Sequence, residues 1–246
     1  MRLSPYRVNN RTVLQSGSLQ SSLTINQLIF KDSFMLSARS IILSLVLFLM
    51  PSFAYSQARE TPKLASPIGE KVQKDNYYPQ VKLETSMGDI VIELSRSKAP
   101  ITVNNFLTYV KEKEYDNTLF HRIIPDYIVQ GGGYDLKFKD KKVNYKIVNE
   151  SGNGMKNEAY SIAMARMNDP HSAKRQFFFN MKDNENLDPG RNWGYTVFGS
   201  VIEGQEVLDA MAIVKTHVSP EIGYPDTPVE PVILKRATIL PEPSYD

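Results

Sequence analysis

The run FHRIIPDYIVQGGG, at residues 120–133, restricts the possible folds of this chain more than any other segment. Apolar residues on both sides of Pro125 predict two short strands, 119–124 and 127–130, joined at the proline. Three consecutive glycines follow the second strand. They lack the G-x-G-x-x-G spacing of a dinucleotide site, and no Walker-type lysine follows them, so they do not predict a nucleotide-binding loop.

One charged residue lies inside the first of these strands. Alternation places Arg122 on a face that it shares with Phe120 and Ile124, and it places His121 and Ile123 on the other face. A guanidinium cannot lose its charge, so an arginine on an apolar face needs either partners or a functional reason. The pattern alone leaves two interpretations open, a snorkelling surface arginine beside an ordinary turn or an arginine in a functional site.

Charge and cysteine content exclude several classes of function. Of the 29 basic and 27 acidic side chains, residues 1–56 carry five and one, which leaves 24 and 26 for residues 57–246. The body of the protein is therefore nearly neutral and predicts no nucleic-acid partner. The absence of cysteine rules out disulfides, thiol catalysis and thiolate metal sites. The three histidines are far apart in sequence, so no metal site is predicted.

The N-terminal region predicts export. Residues 41–50 form a ten-residue apolar run after Arg39, and small residues then permit cleavage between Ser56 and Gln57. This pattern is typical of a secretory signal peptide, and ten residues are too few to cross about 30 Å of hydrocarbon. We therefore expect no membrane anchor after cleavage. The predicted segments are an N-terminal extension that is either an over-extended start or a real leader (1–34), a signal peptide (35–56), a flexible lead-in (57–79) and a folded domain (80–241).

The folded domain is predicted to be mostly β. In addition to the two strands around Pro125, alternation and apolar runs predict strands at 81–85, 89–94, 161–165, 176–181, 195–201 and 232–240. A first helix begins at Pro100, and a second covers 205–214. The apolar stripe of the first helix consists of Ile101, Val103, Phe106, Leu107 and Val110. Many strands, two helices and tight turns predict a closed β-barrel with the helices outside.

Three segments, in this order along the chain, resemble the cyclophilins, a family of peptidyl-prolyl cis/trans isomerases. They are 120–133, 161–181 (SIAMARMNDPHSAKRQFFFNM) and 192–201 (NWGYTVFGSV), and the similarity extends over roughly 81–240. The resemblance implies a closed eight-stranded antiparallel β-barrel capped by two α-helices. It also implies prolyl isomerase activity that needs no cofactor and no metal.

By this resemblance, Arg122 donates to the nitrogen of a twisting prolyl bond, and Gln130 holds the guanidinium and bonds the substrate backbone. His121 is at most a supporting residue. The matching substrate-binding positions are Tyr127, Ile128, Ala165, Arg166, Gln176, Phe178, Leu187 and Tyr195. Among these, Ala165 and Arg166 match the strand edge that pairs with the peptide backbone. Alternation also turns Phe178 away from Phe177 and Phe179, as a groove residue requires.

Four positions depart from the pattern of eukaryotic cyclophilins. Tyr127 replaces phenylalanine, Arg166 replaces asparagine, and Tyr195 replaces histidine. Asn186 stands where cyclosporin-sensitive members carry tryptophan. These changes resemble the bacterial periplasmic cyclophilins, so we expect weak cyclosporin binding with isomerase activity retained.

These observations predict a monomeric, periplasmic or secreted prolyl isomerase that assists the folding of exported proteins. Its partners would be proline-containing segments of unfolded or exported chains. An alternative is a secreted prolyl-peptide binding module or chaperone in which turnover is incidental. The presence of Arg122 together with Gln130 favours the enzyme.

Overall fold

The computed structural model describes residues 68–141, 143 and 145–242. The predicted extension (1–34), the signal peptide (35–56) and the first part of the lead-in (57–67) lie outside the described residues. The helices are α1 (Pro100–Lys111) and α2 (Gln205–Ala212), with short 3-10 helices at Ile68–Lys71, Ser151–Asn153 and Glu185–Leu187. None of the helices described here has the length and apolar character needed to span a bilayer.

Eleven strands are present in the described part of the chain. They are β1 (Gln80–Thr85), β2 (Asp89–Leu94), β3 (Thr118–Leu119), β4 (Arg122–Ile124), β5 (Ile128–Gly131), β6 (Ser161–Met164), β7 (Phe177–Asn180), β8 (Val197–Glu203), β9 (Thr216–His217), β10 (Thr227–Pro228) and β11 (Ile233–Ile239). The mostly β character, the two helices and the hairpin of β1 and β2 are therefore confirmed.

Nine of these strands form one curled antiparallel sheet in the order β3-β11-β1-β2-β8-β6-β7-β5-β4. The predicted closed eight-stranded barrel is wrong in this respect, because no ladder among the described strands joins the two edges, β3 and β4. These edges are consecutive in the chain and are separated only by Phe120 and His121. The continuous segment 118–124 thus pairs with β11 through β3 and with β5 through β4.

The break between β3 and β4 also changes the predicted alternation. The Phe120 N–H donates to Val232 O at 2.9 Å, and both Phe120 and His121 are fully buried. Phe120 packs in the main core together with Ile123. The expectation that Phe120 shares a face with Arg122 was therefore wrong, because the strand is interrupted between the two residues.

The main core fills the concave side of the sheet. It contains all the buried apolar side chains of β1, some of those of β2, β5, β6 and β7, and the buried apolar side chains of both helices, and its aromatic centre includes Phe106, Tyr115, Phe177 and Phe198. The predicted stripe of α1 is buried at every position except Ile101, which is 44% exposed. Ile101 lies in the first turn of the helix, where Glu150 accepts hydrogen bonds from the Ile101 and Thr102 N–H groups.

Candidate active site

A row of directly paired residues crosses four neighbouring strands on the other face of the sheet. Arg122 lies opposite Gln130, Gln130 lies opposite Phe178, and Phe178 lies opposite Ala163. Register partners in an antiparallel ladder project from the same face, so these four side chains share one surface. The alternation predicted for β7 is confirmed, since Phe177 and Phe179 lie in the main core and Phe178 does not.

A second apolar cluster, which we call the groove cluster, continues from this row. Its buried members are Ile128, Ala163, Phe178, Leu187 and Val197, and Ile124, Tyr127, Met155, Ala165 and Tyr195 pack against them at its partly exposed margin. All six apolar side chains predicted for substrate binding therefore meet in one place. The other four, which the prediction missed, are Ile124, Met155, Ala163 and Val197. Three of these lie two residues from a predicted position or from Arg122, so strand alternation could have found them.

Tyr127 is fixed at both ends by the chain segment after β7. Its main-chain oxygen accepts hydrogen bonds from the Met181 N–H and from Asn184 Nδ2, both at 2.9 Å. Its hydroxyl oxygen accepts a hydrogen bond from Asn186 Nδ2 at 3.0 Å. The hydroxyl that distinguishes Tyr127 from phenylalanine is thus used to hold one wall of the groove cluster.

Arg122 lies on the same face of the sheet as the groove cluster, and its side chain is 32% exposed. Its Nε is 3.7 Å from Asp226 Oδ2. The predicted contact with Gln130 is not formed: Gln130 Nε2 donates to Gln176 Oε1 at 2.9 Å, and the hydrogen bonds of the described residues include none between Gln130 and Arg122. The two glutamines therefore form one polar unit beside the arginine, while the role of Gln130 toward substrate stays a prediction.

Arg166 is held rigidly at the opposite margin. Its guanidinium donates to the main-chain oxygens of Gly194, Met167 and Trp193 at 3.2, 2.9 and 2.7 Å, and it stacks 4.5 Å above the Tyr195 ring. Strand β6 ends at Met164, and the Ala165 N–H still pairs with Gln176 O at 2.9 Å. Within the described region, the main-chain N–H and C=O of Arg166 have no hydrogen-bond partner. An extended peptide could therefore pair with this open edge.

A cavity of about 360 Å³ opens beside the two glutamines. Its lining includes Gln130, Gln176, Arg166, Lys174, Tyr134 and Tyr224. The groove is thus continuous from the apolar cluster, past the glutamine pair, into a more polar recess.

His121 lies outside the groove and packs between two tyrosine rings. Its ring centroid is 4.7 Å from that of Tyr134 and 5.8 Å from that of Tyr224. Burial, with a smaller contribution from the neighbouring positive charge of Arg122, lowers the pKa of His121 to about 4. The imidazole is therefore neutral at neutral pH. Its contact with the groove is indirect, through the chain that carries Arg122.

The three glycines are explained by close packing rather than by ligand binding. Gly132 has a φ of +80°, and a Cβ there would lie 2.9 Å from the Phe177 and Tyr115 rings. A Cβ on Gly133 would lie 2.3 Å from Gln176 Nε2. The Gly132 oxygen accepts a hydrogen bond at 2.7 Å from Nε of Arg175, a fully buried residue that the sequence analysis did not single out.

Arg175 connects the glycine run to the end of α1. Its guanidinium bonds the main-chain oxygen of Glu114, approaches the Glu114 carboxylate at 3.4 Å, and lies over the rings of Tyr109 and Tyr115. No group of three or more candidate ligands suitable for a metal occurs among the described residues. The arrangement can hold an apolar ring on a sheet face that also carries a permanently charged donor, with a main-chain edge on one side.

Comparison with known proteins gives consistent relatives. The family model for cyclophilin type peptidyl-prolyl cis-trans isomerases matches residues 80–239. Peptidyl-prolyl cis-trans isomerase cyp18 of Streptomyces antibioticus is 50% identical over 164 residues, which are 65% of this chain and 98% of the relative. Peptidyl-prolyl cis-trans isomerase B of Escherichia coli is 43% identical over 163 residues, with coverages of 65% and 98%.

The fold is similar to crystal structures of a cyclophilin type peptidyl-prolyl cis-trans isomerase from Cryptosporidium parvum. One has a TM-score of 0.56 at 25% identity and covers 68% of this chain and 100% of its own. A second, determined in the presence of the dipeptide Ala-Pro, has a TM-score of 0.54 at 25% identity, with coverages of 66% and 99%.

Proposed function

The chain belongs to the cyclophilin-type peptidyl-prolyl cis-trans isomerases, and from this membership we propose that Arg122 accelerates X–Pro rotation by stabilising the twisted amide. The isomerase class follows from the family and the fold. The role of the arginine, the binding of peptide in the groove cluster and the work on exported proteins are the proposed parts.

The proposed chemistry needs one donor and no covalent step. Rotation about an X–Pro bond breaks amide resonance at a barrier of about 18–20 kcal/mol and takes tens to hundreds of seconds unaided. As the bond twists, the proline nitrogen becomes pyramidal and gains a lone pair. A donor aimed at that nitrogen binds the twisted state more strongly than either planar state, which is the condition for catalysis.

The observation that carries the proposal is that Arg122 shares one face of the sheet with the groove cluster. Across the ladders from Arg122 lie Gln130 and Phe178, so a proline ring packed on Phe178 would have the guanidinium beside it. An arginine remains charged over the whole physiological range, so the donor needs no base and no proton transfer.

Substrate binding would use both the apolar cluster and the open edge at Arg166. The pyrrolidine ring would pack on Phe178, Ile128 and Leu187, and the flanking peptide would pair with the main chain of Arg166. Main-chain pairing accepts many sequences, so we propose that proline-containing segments of unfolded chains are the substrates. One chain supplies every residue of the groove cluster, so a monomer would be sufficient for this activity.

The proposal is tested by NMR exchange spectroscopy on an Ala-Pro peptide with the full chain and two variants, Arg122→Ala and Arg122→Lys. We expect the alanine variant to lose about 10²- to 10³-fold in catalysed exchange, as when a preorganised donor is removed. The lysine variant should recover only part of this, because an ammonium lacks the planar fork. Equal rates well above background in all three proteins, with intact folding by circular dichroism, would refute the role of Arg122. Uniformly background rates with retained peptide binding would instead favour a prolyl-peptide binding module or chaperone.

We also propose that the enzyme acts on exported proteins in the periplasm. The support is the apolar run at 41–50 and the small residues before Gln57, which lie outside the described residues. Expression of the full chain in a bacterium with an outer membrane should give a periplasmic product whose N-terminus is Gln57. A cytoplasmic product that keeps residues 35–56 would contradict export.

A further inference from the structure

We infer that Asp226 is a positioning residue for Arg122, an inference that rests on the proposed role of Arg122 as the donor. Asp226 Oδ2 lies 3.7 Å from Arg122 Nε, and each of the two side chains is about one third exposed. The Nε atom itself is excluded from solvent and has no hydrogen-bond partner within the described region. A buried donor without a partner is costly, and the Asp226 carboxylate is the acceptor that the structure places beside it.

The main chain fixes Asp226 in this place. The main-chain oxygen of Asp226 accepts a hydrogen bond from the Ile123 N–H at 2.8 Å, and Ile123 directly follows Arg122. The residue after Asp226 is Thr227, which begins β10 and pairs with His217 of β9. On the preceding side, the Tyr224 ring packs against His121. The segment that carries Asp226 is therefore bound to the chain on both sides of Arg122.

The geometry of the guanidinium explains what this contact would do. Its N–H groups lie in one plane, so an acceptor at Nε fixes the orientation of that plane. The terminal Nη groups would then be held toward the groove cluster. A separation of 3.7 Å is longer than a normal hydrogen bond, and we expect it to shorten when bound peptide excludes water, as catalytic contacts often do.

Asp226 could act by orienting the guanidinium or by weakening its positive charge, and the two roles predict opposite effects of removing the carboxylate. If Asp226 orients the guanidinium, its removal slows catalysis, and an uncharged side chain of the same shape preserves most of the rate. If Asp226 mainly weakens the positive charge of Arg122, its removal increases the rate, and asparagine and alanine act alike. Both side chains are partly exposed, so solvent screens the charge effect, and the structure favours orientation.

The test compares Asp226→Ala and Asp226→Asn with the wild-type chain, with kcat and KM measured separately on an Ala-Pro peptide. We expect Asp226→Ala to lower kcat about tenfold with KM nearly unchanged, and Asp226→Asn to stay within about threefold of the wild type. Asp89→Asn is the matched control, because it removes an ion pair with Lys82 on the β1–β2 hairpin, which contributes no residue to the groove cluster.

A direct readout is the exchange of the Arg122 Nε proton with water, followed by NMR. It should be slow in the wild type and in Asp226→Asn and fast in Asp226→Ala. An unchanged or increased kcat in Asp226→Ala, or equal losses in both Asp226 variants, would overturn the inference. Failure of the two proposals is distinguishable: if Arg122→Ala retains full activity, the donor role itself fails. If Arg122→Ala is inactive and Asp226→Ala is normal, only the positioning role fails.

Discussion

Arg122 and Gln130 lie opposite each other in the β4–β5 ladder, and Gln130 Nε2 donates a hydrogen bond to Gln176 Oε1 at 2.9 Å. Gln176 in turn lies against the α-carbon of Gly133, where no side chain could fit without displacing it. The last glycine of the run 120–133 thus determines where the two glutamines lie beside the proposed donor.

This contact predicts that Gly133→Ala impairs catalysis more than stability. A Cβ at Gly133 would lie 2.3, 2.6 and 2.7 Å from Nε2, Cδ and Cγ of Gln176, so the whole Gln176 side chain beyond Cβ would have to turn into another rotamer. We expect kcat/KM to fall severalfold while the midpoint of urea unfolding changes little. Gly152→Ala is the control, since a Cβ there has no atom within 4 Å. An unchanged kcat/KM in Gly133→Ala would show that the glutamine pair has no catalytic importance.

Arg175 should be essential for stability. Its fully buried guanidinium bonds the main-chain oxygens of Gly132 and Glu114. Methionine of similar length would remove the donor to Gly132 O and leave Glu114 O with only the hydrogen bond from Lys141 Nζ. We expect Arg175→Met to lower the free energy of unfolding by about 3 kcal/mol. The exposed Arg191→Met should stay within about 0.5 kcal/mol of the wild type. Equal stabilities for the two variants in urea would contradict the structural role of Arg175.

His121 should make the protein sensitive to mild acid. Its pKa in the folded state is about 4, below the ordinary 6.5, so the unfolded chain binds more protons between these values. Stability is therefore lost as pH falls from 6.5 toward 4, by at most about 3 kcal/mol from this residue. Urea unfolding over this range should show a shallower pH slope for His121→Leu than for the wild type.

The control for that slope is His217→Gln, which removes an exposed imidazole. This control shows whether the change in slope is specific to the buried histidine. A slope for His121→Leu that equals the wild-type slope would mean that His121 is protonated without cost in the folded protein.

We expect the wild-type chain to bind cyclosporin weakly because Asn186 replaces the tryptophan of sensitive family members. Asn186 is exposed at the groove margin and donates to the Tyr127 hydroxyl. Inhibition assays should therefore show at least a tenfold gain in affinity for Asn186→Trp and little gain for its exposed neighbour in Glu185→Trp. Nanomolar inhibition of the wild type would contradict this expectation.

Most of the sheet and most of the groove could be predicted from the sequence, because both depend on local alternation. Alternation turned Phe178 away from Phe177 and Phe179, the family resemblance assigned it to the groove, and Pro125 marked the turn between β4 and β5. The partner of Gln130 could not be predicted, since the choice between Arg122 and Gln176 depends on side-chain rotamers and on the space beside Gly133. Arg175 was missed because a Lys-Arg pair in a turn-rich loop resembles solvated surface. Asp226 was missed because only the folded chain brings its segment against β4.

The closed barrel was wrongly predicted because the interruption between β3 and β4 also depends on long-range contacts. Strand propensity at 118–124 is continuous, and it does not reveal that Phe120 and His121 are both buried. The interruption arises from the long-range hydrogen bond of Phe120 to Val232 and from the packing of His121 between two tyrosines.

The most direct test of the central claim is an NMR line-shape analysis that gives, for wild type and Arg122→Ala, both the on-enzyme isomerisation rate and the affinities of the cis and trans peptide. If Arg122 stabilises the twisted amide, the on-enzyme rate should fall about 10²- to 10³-fold, while both affinities change by less than about threefold. A rate that falls only in proportion to affinity would show that Arg122 binds the planar substrate, and that the twisted state is stabilised by other groups.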